Sequence, residues 1–358
     1  MTKLTQALRT GAAALAIGAI GGAAAADTFT LRIGSGHPNG PSVYVTDVAE
    51  FFVPEVKRRV AEETEHTVEF VEGYGGSIAG VFETLEAVEN GILDIGAYCI
   101  CFEPAKLFLH NFPYYAPFGP TDSNEQMAAT RATYEAVPWL QNQFHEEYGQ
   151  ILLGLHGWDN YHLGTTDSWE TVEDLEGVKI AGAGPNLPWL EFAGAVPVST
   201  NLPEAYLSLQ TGVYHGFLMF PSAYLGFKFY EPSPNFTLIS FGAMSVNALT
   251  MNQRSFDRLP EDVQQIILEV GAEYEARSGD NLNALQASSI QGLIDVGTNV
   301  RELPAEARAG WAAAMVDFPN RQAKDADGRG MPGSEVLTTY IQIVSDMGYE
   351  WPVEYVIE

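Results

Sequence analysis

The sequence predicts an α/β protein of two lobes, and three observations support this prediction. Strand-like runs alternate with helical segments, from residues 29–33 through a helix at about 42–63 to residues 67–71. The alternation begins again at residues 151–155. Strands and helices that alternate in this way form parallel sheets with helices on their faces. Finally, about 330 residues follow the N-terminal leader, which is more than one hydrophobic core usually supports.

A long helical stretch lies between Leu259 and Gly297. Apolar residues recur there at helical spacing after the start signal Pro260-Glu261-Asp262. The stretch is too long for one small lobe, so we expect a pair of helices or a single spine across both lobes. The predicted first lobe comprises residues 27–155 with about 246–285, and the second comprises 156–245 with about 286–358.

The N-terminal residues have the order of a secretory signal peptide. Lys3 and Arg9 precede an apolar, Ala/Gly-rich run that begins at Gly11 and ends with Ala26. This run is shorter than the roughly 20 apolar residues that a membrane-spanning helix needs. We therefore predict cleavage after about Ala26, export to the periplasm and no stable membrane insertion.

The charge balance is strongly acidic. The chain has 18 Lys and Arg against 46 Asp and Glu, a formal net charge of −28. A protein of this charge repels the phosphate backbone, so nucleic acid is excluded as a partner. An acidic surface with so few lysines is typical of a protein that works in salty water, where ions screen the self-repulsion.

The two cysteines, Cys99 and Cys101, lie two residues apart in a predicted strand. That spacing points both side chains to one face and would strain a disulfide between them. We therefore expect buried free thiols, with a redox or ligand-facing role as the alternative.

Motifs typical of enzymes are incomplete. Gly34-Ser35-Gly36 follows a strand as in a dinucleotide-binding loop, but the third glycine is missing and Pro38 interrupts the motif. In the segment 75–79, the place of the final glycine of a nucleophile elbow is taken by Ala79. The sequence contains no recognisable metal-binding set or phosphate loop. We predict no catalytic residue, metal or cofactor, with a secreted hydrolase as the rival class.

Four segments together resemble one known family. They are Trp158-Asp159-Asn160, the run 174–180 (DLEGVKI), the run 204–213 (EAYLSLQTGV) and Lys228-Phe229-Tyr230-Glu231. Their order and spacing are similar to those of the DctP-type binding proteins of tripartite ATP-independent periplasmic (TRAP) transporters. The resemblance implies a type II-like periplasmic-binding-protein fold with a long helix bracing both lobes. It also implies that the protein closes on a small organic acid and delivers it to the small and large membrane subunits of a permease. We expect the protein itself to be a monomer.

The chain departs from this family at two positions. Where most relatives have an arginine that grips the ligand carboxylate, this chain has Ala181, and a second basic position is Leu163. A charged hydrogen bond contributes about 1.5–3 kcal/mol, so some other group must hold a carboxylate. Free backbone N–H groups at residues 182–188 or at 75–77 are candidates. Otherwise the ligand is neutral, zwitterionic or cationic.

A cleft between two α/β lobes binds ligands at the carboxyl ends of the strands. This places seven loops at the cleft: residues 35–40, 74–77, 98–102, 158–163, 181–189, 201–202 and 217–220. The candidate ligand-binding residues within them are His37, Tyr74, Ser77, Tyr98, Cys99, Phe102, Trp158, Asn160, Tyr161, Ala181, Gly182, Trp189, Leu202, Met219 and Phe220.

Many of these candidates are aromatic or apolar, which favours an apolar or aromatic organic acid over a neutral or cationic solute, and either over a dicarboxylate. Each candidate also has a simpler interpretation. Trp189 and Phe220 could pack the lobe interface, His37 could be an ordinary loop histidine, and Asn160 could tie a turn. A binding protein that serves a sensor or an ATP-driven importer is a further alternative.

Overall fold

The structure is a computed structural model that describes residues 27–358, so the predicted signal peptide lies outside the described residues. Within them, the strands form a sheet of five strands and a sheet of six, and helices pack on both. This arrangement confirms the predicted two-lobed α/β architecture. No helix in the described range is long and apolar enough to cross a membrane.

Strands and helices alternate along the first part of the chain. In chain order they are β1 (Thr28–Gly34), α1 (Val43–Asp47), α2 (Val53–Glu63), β2 (Thr67–Gly73), α3 (Thr84–Glu89), β3 (Ile95–Cys99), α4 (Phe112–Tyr115), α5 (Ser123–Ala136), α6 (Trp139–Tyr148) and β4 (Gln150–Trp158). A π-helical segment at Val48–Phe52 joins α1 to α2, so the helix predicted at about 42–63 is continuous but not uniform.

Shorter strands follow in the middle of the chain, and longer helices follow towards its end. The middle elements are β5 (His162–Thr165), β6 (Lys179–Gly182), α7 (Leu187–Glu191), β7 (Val196–Ser199), α8 (Leu202–Gln210), β8 (Gly216–Met219), α9 (Pro221–Gly226) and β9 (Asn235–Leu238). The last elements are β10 (Met244–Asn252), α10 (Gln253–Phe256), α11 (Glu261–Asp295), β11 (Asn299–Glu302), α12 (Ala305–Ala314), α13 (Phe318–Gly328) and α14 (Gly333–Asp346).

Each sheet contains one antiparallel strand. The strand order is β2-β1-β3-β10-β4 in the first sheet and β11-β9-β5-β8-β6-β7 in the second. Strand β10 runs against β3 and β4, and β5 runs against β8 and β9. These two strands are the ones that the chain enters directly from the other sheet. All other strands of a sheet therefore end at the same edge, which is where α/β folds bind ligands.

The chain passes between the sheets at two neighbouring crossing segments, residues 159–161 and 239–243. The backbone N–H of Tyr161 donates to the carbonyl of Gly242 at 3.0 Å, and that of Phe241 donates to the carbonyl of Tyr161 at 3.1 Å. The side chain of Asn160 reinforces this pairing. Its Oδ1 accepts from the N–H of Gly242 at 2.9 Å, and its Nδ2 donates to Oγ of Ser240 at 3.2 Å. Asn160 thus joins the two crossing segments.

Arg308 holds the second crossing segment from the outside. Its guanidinium donates to the carbonyls of Ile239 and Ser240 at 3.1 and 3.0 Å, and it lies 5.1 Å from the ring centre of Phe118. Ser240 has a φ of 64°, a left-handed conformation that costs a residue with a side chain some free energy. The bonds from Arg308 help to hold the chain in this conformation.

Helix α11 is a single helix of 35 residues that contacts β4 of the first lobe and α9 of the second. The spine alternative is therefore correct. Its approach to β4 is close, since a Cβ added at Gly271 would lie 2.5 Å from the carbonyl oxygen of Leu153. Further along, Oε1 of Gln286 accepts from the backbone N–H of Asn160 at 2.8 Å, so the spine also contacts the first crossing segment.

The C-terminal helices pack back towards the first sheet. Helix α14 contacts α4 and α5, and the hydroxyl of Tyr340 donates to Oε1 of Gln126 at 2.8 Å. The predicted lobe boundaries stay a prediction. For α14, which was assigned to the second lobe, these contacts favour the first.

Replacing Asn160 by Ala removes its two bonds and leaves the buried N–H of Gly242 without a side-chain acceptor. We expect the free energy of unfolding to fall by about 2 kcal/mol, measured by urea denaturation. The matched control is Asn142→Ala on the exposed face of α6, for which we expect a change within about 0.5 kcal/mol. Equal stabilities of the two variants would show that the crossing segments do not depend on Asn160.

Candidate ligand-binding site

A small cavity of about 20 Å³ lies between the lobes, at the edge where strands of both sheets end. This is room for about one water molecule, so a larger ligand needs the lobes to move apart. Its lining comes from both lobes and is mostly apolar or aromatic. The lining residues are His37, Cys99, Cys101, Phe102, Trp158, Tyr161, Ala183, Thr200, Asn201, Leu202, Phe217, Met219 and Phe220.

Aromatic rings from both lobes meet in the wall of the cavity. Trp158, at the end of β4, stacks on Phe220, which follows β8, with ring centres 4.5 Å apart and planes inclined by 21°. Tyr161 meets the same Phe220 edge-on at 5.1 Å. Flat apolar surfaces of this kind favour a ligand with a planar or apolar body.

His37 is the one histidine of the lining, and it is 2% exposed. Its Nδ1 lies 3.0 Å from the hydroxyl of Tyr44, and that hydroxyl lies 3.0 Å from Oγ of Ser35. Its Nε2 is buried and has no hydrogen-bond partner among the described residues. Burial lowers the pKa of His37 to about 3, so the imidazole of the empty cavity is neutral.

The hydrogen-bond chain favours one tautomer of this imidazole. If Ser35 donates to Tyr44 and Tyr44 donates to Nδ1 of His37, both hydroxyl protons have acceptors, and Ser35 still accepts from the backbone N–H of His37 at 3.2 Å. The proton of the neutral ring is then on Nε2. Buried donors are almost always paired in proteins. His37 therefore offers a donor that a ligand acceptor would satisfy.

Tyr161 offers a second donor. Its hydroxyl lies 2.8 Å from that of Tyr114, so two hydroxyl protons share one hydrogen bond and one proton is left over. If Tyr114 donates to Tyr161, a ligand acceptor at the cavity would give both protons partners. Burial raises the pKa of Tyr161 well above its usual value, so its hydroxyl keeps its proton.

The cavity also contains a disulfide. Cys99 and Cys101 form a disulfide bond with Cα atoms 5.1 Å apart, so the expectation of free thiols is wrong. The expectation assumed that the strand continues through Cys101. In the structure β3 ends at Cys99, and the chain turns into a 3₁₀ helix at Ile100–Phe102, which brings the two Cα atoms within the normal range for a disulfide.

Three backbone N–H groups of the predicted anion sites are already bonded within the protein. The N–H of Gly75 donates to the carbonyl of His37 at 2.9 Å, and that of Gly76 donates to the carbonyl of Ser35 at 3.1 Å. In the other lobe, the N–H of Ala183 donates to Oδ1 of Asn186 at 2.9 Å. These three N–H groups support the loops around the cavity, and the side chains of His37 and Tyr161 offer further groups to a ligand.

The cavity lining within the described residues contains no Lys, Arg, Asp or Glu. Ala181 and Leu163, the two positions where the resemblance leads us to expect basic residues, are fully buried in strands β6 and β5 and are not part of the lining. A ligand in this cavity therefore meets no fixed charge.

The structure brings eight of the fifteen candidate residues to the cavity. They are His37, Cys99, Phe102, Trp158, Tyr161, Leu202, Met219 and Phe220. Four further lining residues, Cys101, Ala183, Asn201 and Phe217, lie in loops that were predicted at the cleft. Thr200 lies outside those loops because the short strand β7, which ends just before it, was not recognised. The signal for β7 was the apolar alternation of Val196 and Val198.

The other seven candidates do not line the cavity. Among those with defined polar contacts, Trp189 donates to the carbonyl of Tyr114 at 3.0 Å, and Asn160 joins the crossing segments. The hydroxyl of Tyr98 donates to Oε1 of the buried Gln150 at 3.3 Å. The remaining ones are Tyr74, which is half-buried, Ser77, which is exposed, and Ala181 and Gly182, which are buried in β6.

In the part of the chain that the structure describes, no group of three or more His, Cys, Asp or Glu side chains is arranged to hold a metal ion.

Comparisons with known proteins identify similar chains. The model of the DctP family, described as bacterial extracellular solute-binding proteins of family 7, matches residues 46–325. A solute-binding protein of Sulfitobacter sp. (strain NAS-14.1) is 28% identical over 160 residues, which are 44% of this chain and 48% of that relative. The matched part thus spans about half of that relative's length. The C4-dicarboxylate-binding periplasmic protein DctP of Rhodobacter capsulatus is 24% identical over 76% of this chain and 89% of its own.

Solved structures share the fold. A TRAP solute-binding protein from a marine metagenome, specific for aromatic acid ligands and crystallised with 3-hydroxybenzoate, has a TM-score of 0.79 at 18% identity, covering 90% of this chain and 99% of its own. A TRAP solute-binding protein of Rhodoferax ferrireducens T118 with copurified benzoate has a TM-score of 0.78 at 19% identity, covering 89% and 98%. At this level of identity the likeness concerns the fold alone.

A buried carboxyl group next to the cavity makes the stability depend on pH. Asp159, in the first crossing segment, accepts from the N–H and Oγ of Ser222 at 3.0 and 2.5 Å. Burial raises the pKa of Asp159 from 3.8 to about 7, although the bonds from Ser222 act in the opposite direction. The folded protein thus binds this proton more tightly than the unfolded chain does. The resulting stabilisation is complete below pH 3.8 and is lost as the pH rises through 7.

Replacing Asp159 by Asn keeps the shape and removes this titration. The amide can accept from the N–H of Ser222 through Oδ1 and donate to Oγ of Ser222 through Nδ2. Between pH 4 and 7 we expect the Asn variant to gain stability relative to the parent protein by up to about 1.4 kcal/mol per pH unit, measured by urea denaturation. The exposed Asp167→Asn variant is the control and should follow the parent. Parallel pH profiles for all three proteins would contradict a raised pKa at Asp159.

Proposed function

The chain belongs to the DctP family of bacterial extracellular solute-binding proteins, family 7, and from this premise we propose that it captures a small carboxylic acid with an apolar or aromatic body. The acid binds in the cavity between the lobes and is delivered unchanged to the small and large membrane subunits of a TRAP permease. The protein acts as a monomer in the periplasm, after removal of residues 1–26, and it is a receptor and not an enzyme.

The main support for this proposal is that the cavity combines aromatic walls with hydrogen-bond donors that have no acceptor in the protein. In the empty cavity Nε2 of His37 has no hydrogen-bond partner, and one of the two hydroxyl protons of Tyr114 and Tyr161 has no acceptor. A ligand whose polar end only accepts hydrogen bonds, such as a carboxylate, satisfies both. Its apolar end packs against the aromatic wall that Trp158 and Phe220 form.

The alternatives fit this cavity less well. A cationic solute finds no carboxylate in the lining, and the groups that His37 and Tyr161 offer are hydrogen-bond donors, which suit an acceptor and not a cation. A dicarboxylate would place a second charge among apolar side chains. The marine metagenome protein and the Rhodoferax protein are described with aromatic acids, which supports the same ligand class for this chain.

Capture and delivery follow from the two lobes. In the closed form the lining residues are almost entirely buried, so the ligand must enter while the lobes are apart. Contacts from His37 in one lobe and Phe220 in the other favour closure only when both reach the ligand. The permease then distinguishes the closed, loaded receptor from the open one.

A thermal-shift screen of the mature protein tests the ligand class. Benzoate, 3-hydroxybenzoate, mandelate, succinate, benzamide and benzyltrimethylammonium are compared at equal concentration. We expect the aromatic acids to raise the melting temperature most, because a ligand that binds only the folded protein stabilises it. Stabilisation by succinate alone, or by the ammonium compound alone, would overturn the proposed ligand class.

A pair of phenylalanine variants tests the cavity. Phe220→Ala removes the ring that stacks on Trp158, and we expect the Kd of the best aromatic acid, measured by calorimetry, to rise at least about tenfold. Phe227→Ala is the control, because Phe227 stacks on Phe229 and does not line the cavity. Its Kd should stay within about twofold. Equal affinities of the two variants would remove Phe220 from the site.

A further inference from the structure

The closed cavity presents an electrostatic problem for any acid anion. The residues that line it contribute no Lys or Arg, and they are almost completely buried. A carboxylate that enters loses its hydration shell, and burying an unpaired charge costs far more than burying a neutral group. Two neutral donors reduce this cost but leave the net charge uncompensated. The cavity therefore needs a positive charge that its resting side chains do not supply.

His37 is the one lining residue that can acquire this charge near neutral pH. Its Nε2 has no partner, and its Nδ1 is bonded to a hydroxyl that can reverse its role. In the neutral ring the hydroxyl of Tyr44 donates to Nδ1. When Nδ1 is protonated it donates instead, and the hydroxyl of Tyr44 turns to donate to Oγ of Ser35, 3.0 Å away. The same three groups thus hold both charge states without moving a heavy atom, at the cost that the hydroxyl proton of Ser35 loses its acceptor in the charged state.

Among residues 27–358, no charged group already pairs with His37. The elements packed around it bring the titratable side chains Tyr44 of α1, Tyr98 of β3 and, across the cavity, Tyr161. The carboxyl groups on adjoining segments have other partners or none. Asp47 is bonded to His156 and Asn281, Asp159 is bonded to Ser222, and Oε1 of Glu103 is buried without a bond. The proton affinity of His37 is therefore controlled by what occupies the cavity.

We propose that His37 is the counter-ion of the bound acid, and that it takes up one proton from solvent as the acid anion binds, so that ligand and receptor close as a neutral pair. This inference rests on the proposed function. The proton adds to Nδ1, the proton already on Nε2 donates to the carboxylate, and no covalent bond of the ligand changes. When the lobes open, the anion and the proton return to solvent together.

The direction of the pH dependence follows from this balance. Burial alone lowers the pKa of His37 to about 3, and a carboxylate beside the ring raises it again. Affinity is complete below the pKa of the ligand-free protein. It falls about tenfold per pH unit between that pKa and the pKa of the complex, and above the latter it is constant at its lowest value. A fixed arginine clamp would give no such dependence near neutral pH.

Calorimetry with benzoate measures the proton directly. Titrations of the mature protein between about pH 6.5 and 8.5, in phosphate and in Tris, separate the binding enthalpy from the ionisation enthalpy of the buffer. We expect an uptake of about one proton per benzoate bound and a Kd that rises up to about tenfold per pH unit. Binding without proton uptake and with constant Kd would overturn this inference and leave the proposed function intact. Failure of every aromatic acid to bind at any of these pH values would overturn the proposed function itself.

Three variants assign the proton to its site. His37→Gln keeps a donor but cannot be protonated, so we expect the uptake and the pH slope to disappear. Tyr44→Phe removes the acceptor of Nδ1–H, so the transition should move to lower pH while the aromatic walls stay intact. His145→Gln, on the exposed side of α6, should leave both unchanged. An undiminished slope in His37→Gln would show that the proton travels on the ligand, and this would overturn the assignment to His37.

Discussion

Two chain crossings lie side by side between the sheets, and the side chain of Asn160 binds one to the other. The geometry of the cavity depends on this junction, because Trp158 and Tyr161, which both line the cavity, stand two residues before and one residue after Asn160. Arg308 holds the second crossing from outside, and Gln286 of the spine contacts the first. If the lobes move while these bonds are kept, the two sheets turn about the junction. Trp158 and Tyr161 then stay attached to the crossing segment that positions them.

The features that depend on local pattern could be predicted from the sequence. The spacing of Val263, Ile266 and Val270 along one face predicted helix between Leu259 and Gly297, but it left open one helix or two. Strand ends could be located from the glycines and prolines that follow them. The features that were missed depend on distant partners or on a local turn. Asn160 was predicted as a ligand contact because the sequence does not reveal that its partner is Gly242, 82 residues away. The disulfide depends on where β3 ends, which is the kind of boundary that patterns define least well.

The sequence predicted which types of residue line the site, but not which of them offer hydrogen bonds to a ligand. The aromatic character of the walls follows from the residue types at the strand ends, and the missing arginine at Ala181 could be read directly. The role of His37 in place of that arginine could not be predicted. A polar atom is recognised as unpaired only when the positions of all its possible partners are known. Three of the backbone N–H groups that were expected to bind an anion are used to shape the loops, whereas Nε2 of His37 is left without a bond.

The strand order of the first sheet constrains the sequence of events during folding. Strand β10 lies between β3 and β4, and β4 has no other partner in that sheet. The N-terminal half of the chain therefore cannot complete its sheet until residues 244–252 have been synthesised, and until then β3 and β4 each have an unpaired edge. A chain with this topology remains incompletely folded through about two-thirds of its synthesis. That delay leaves the nascent polypeptide available for passage through a narrow export channel before its lobes can form.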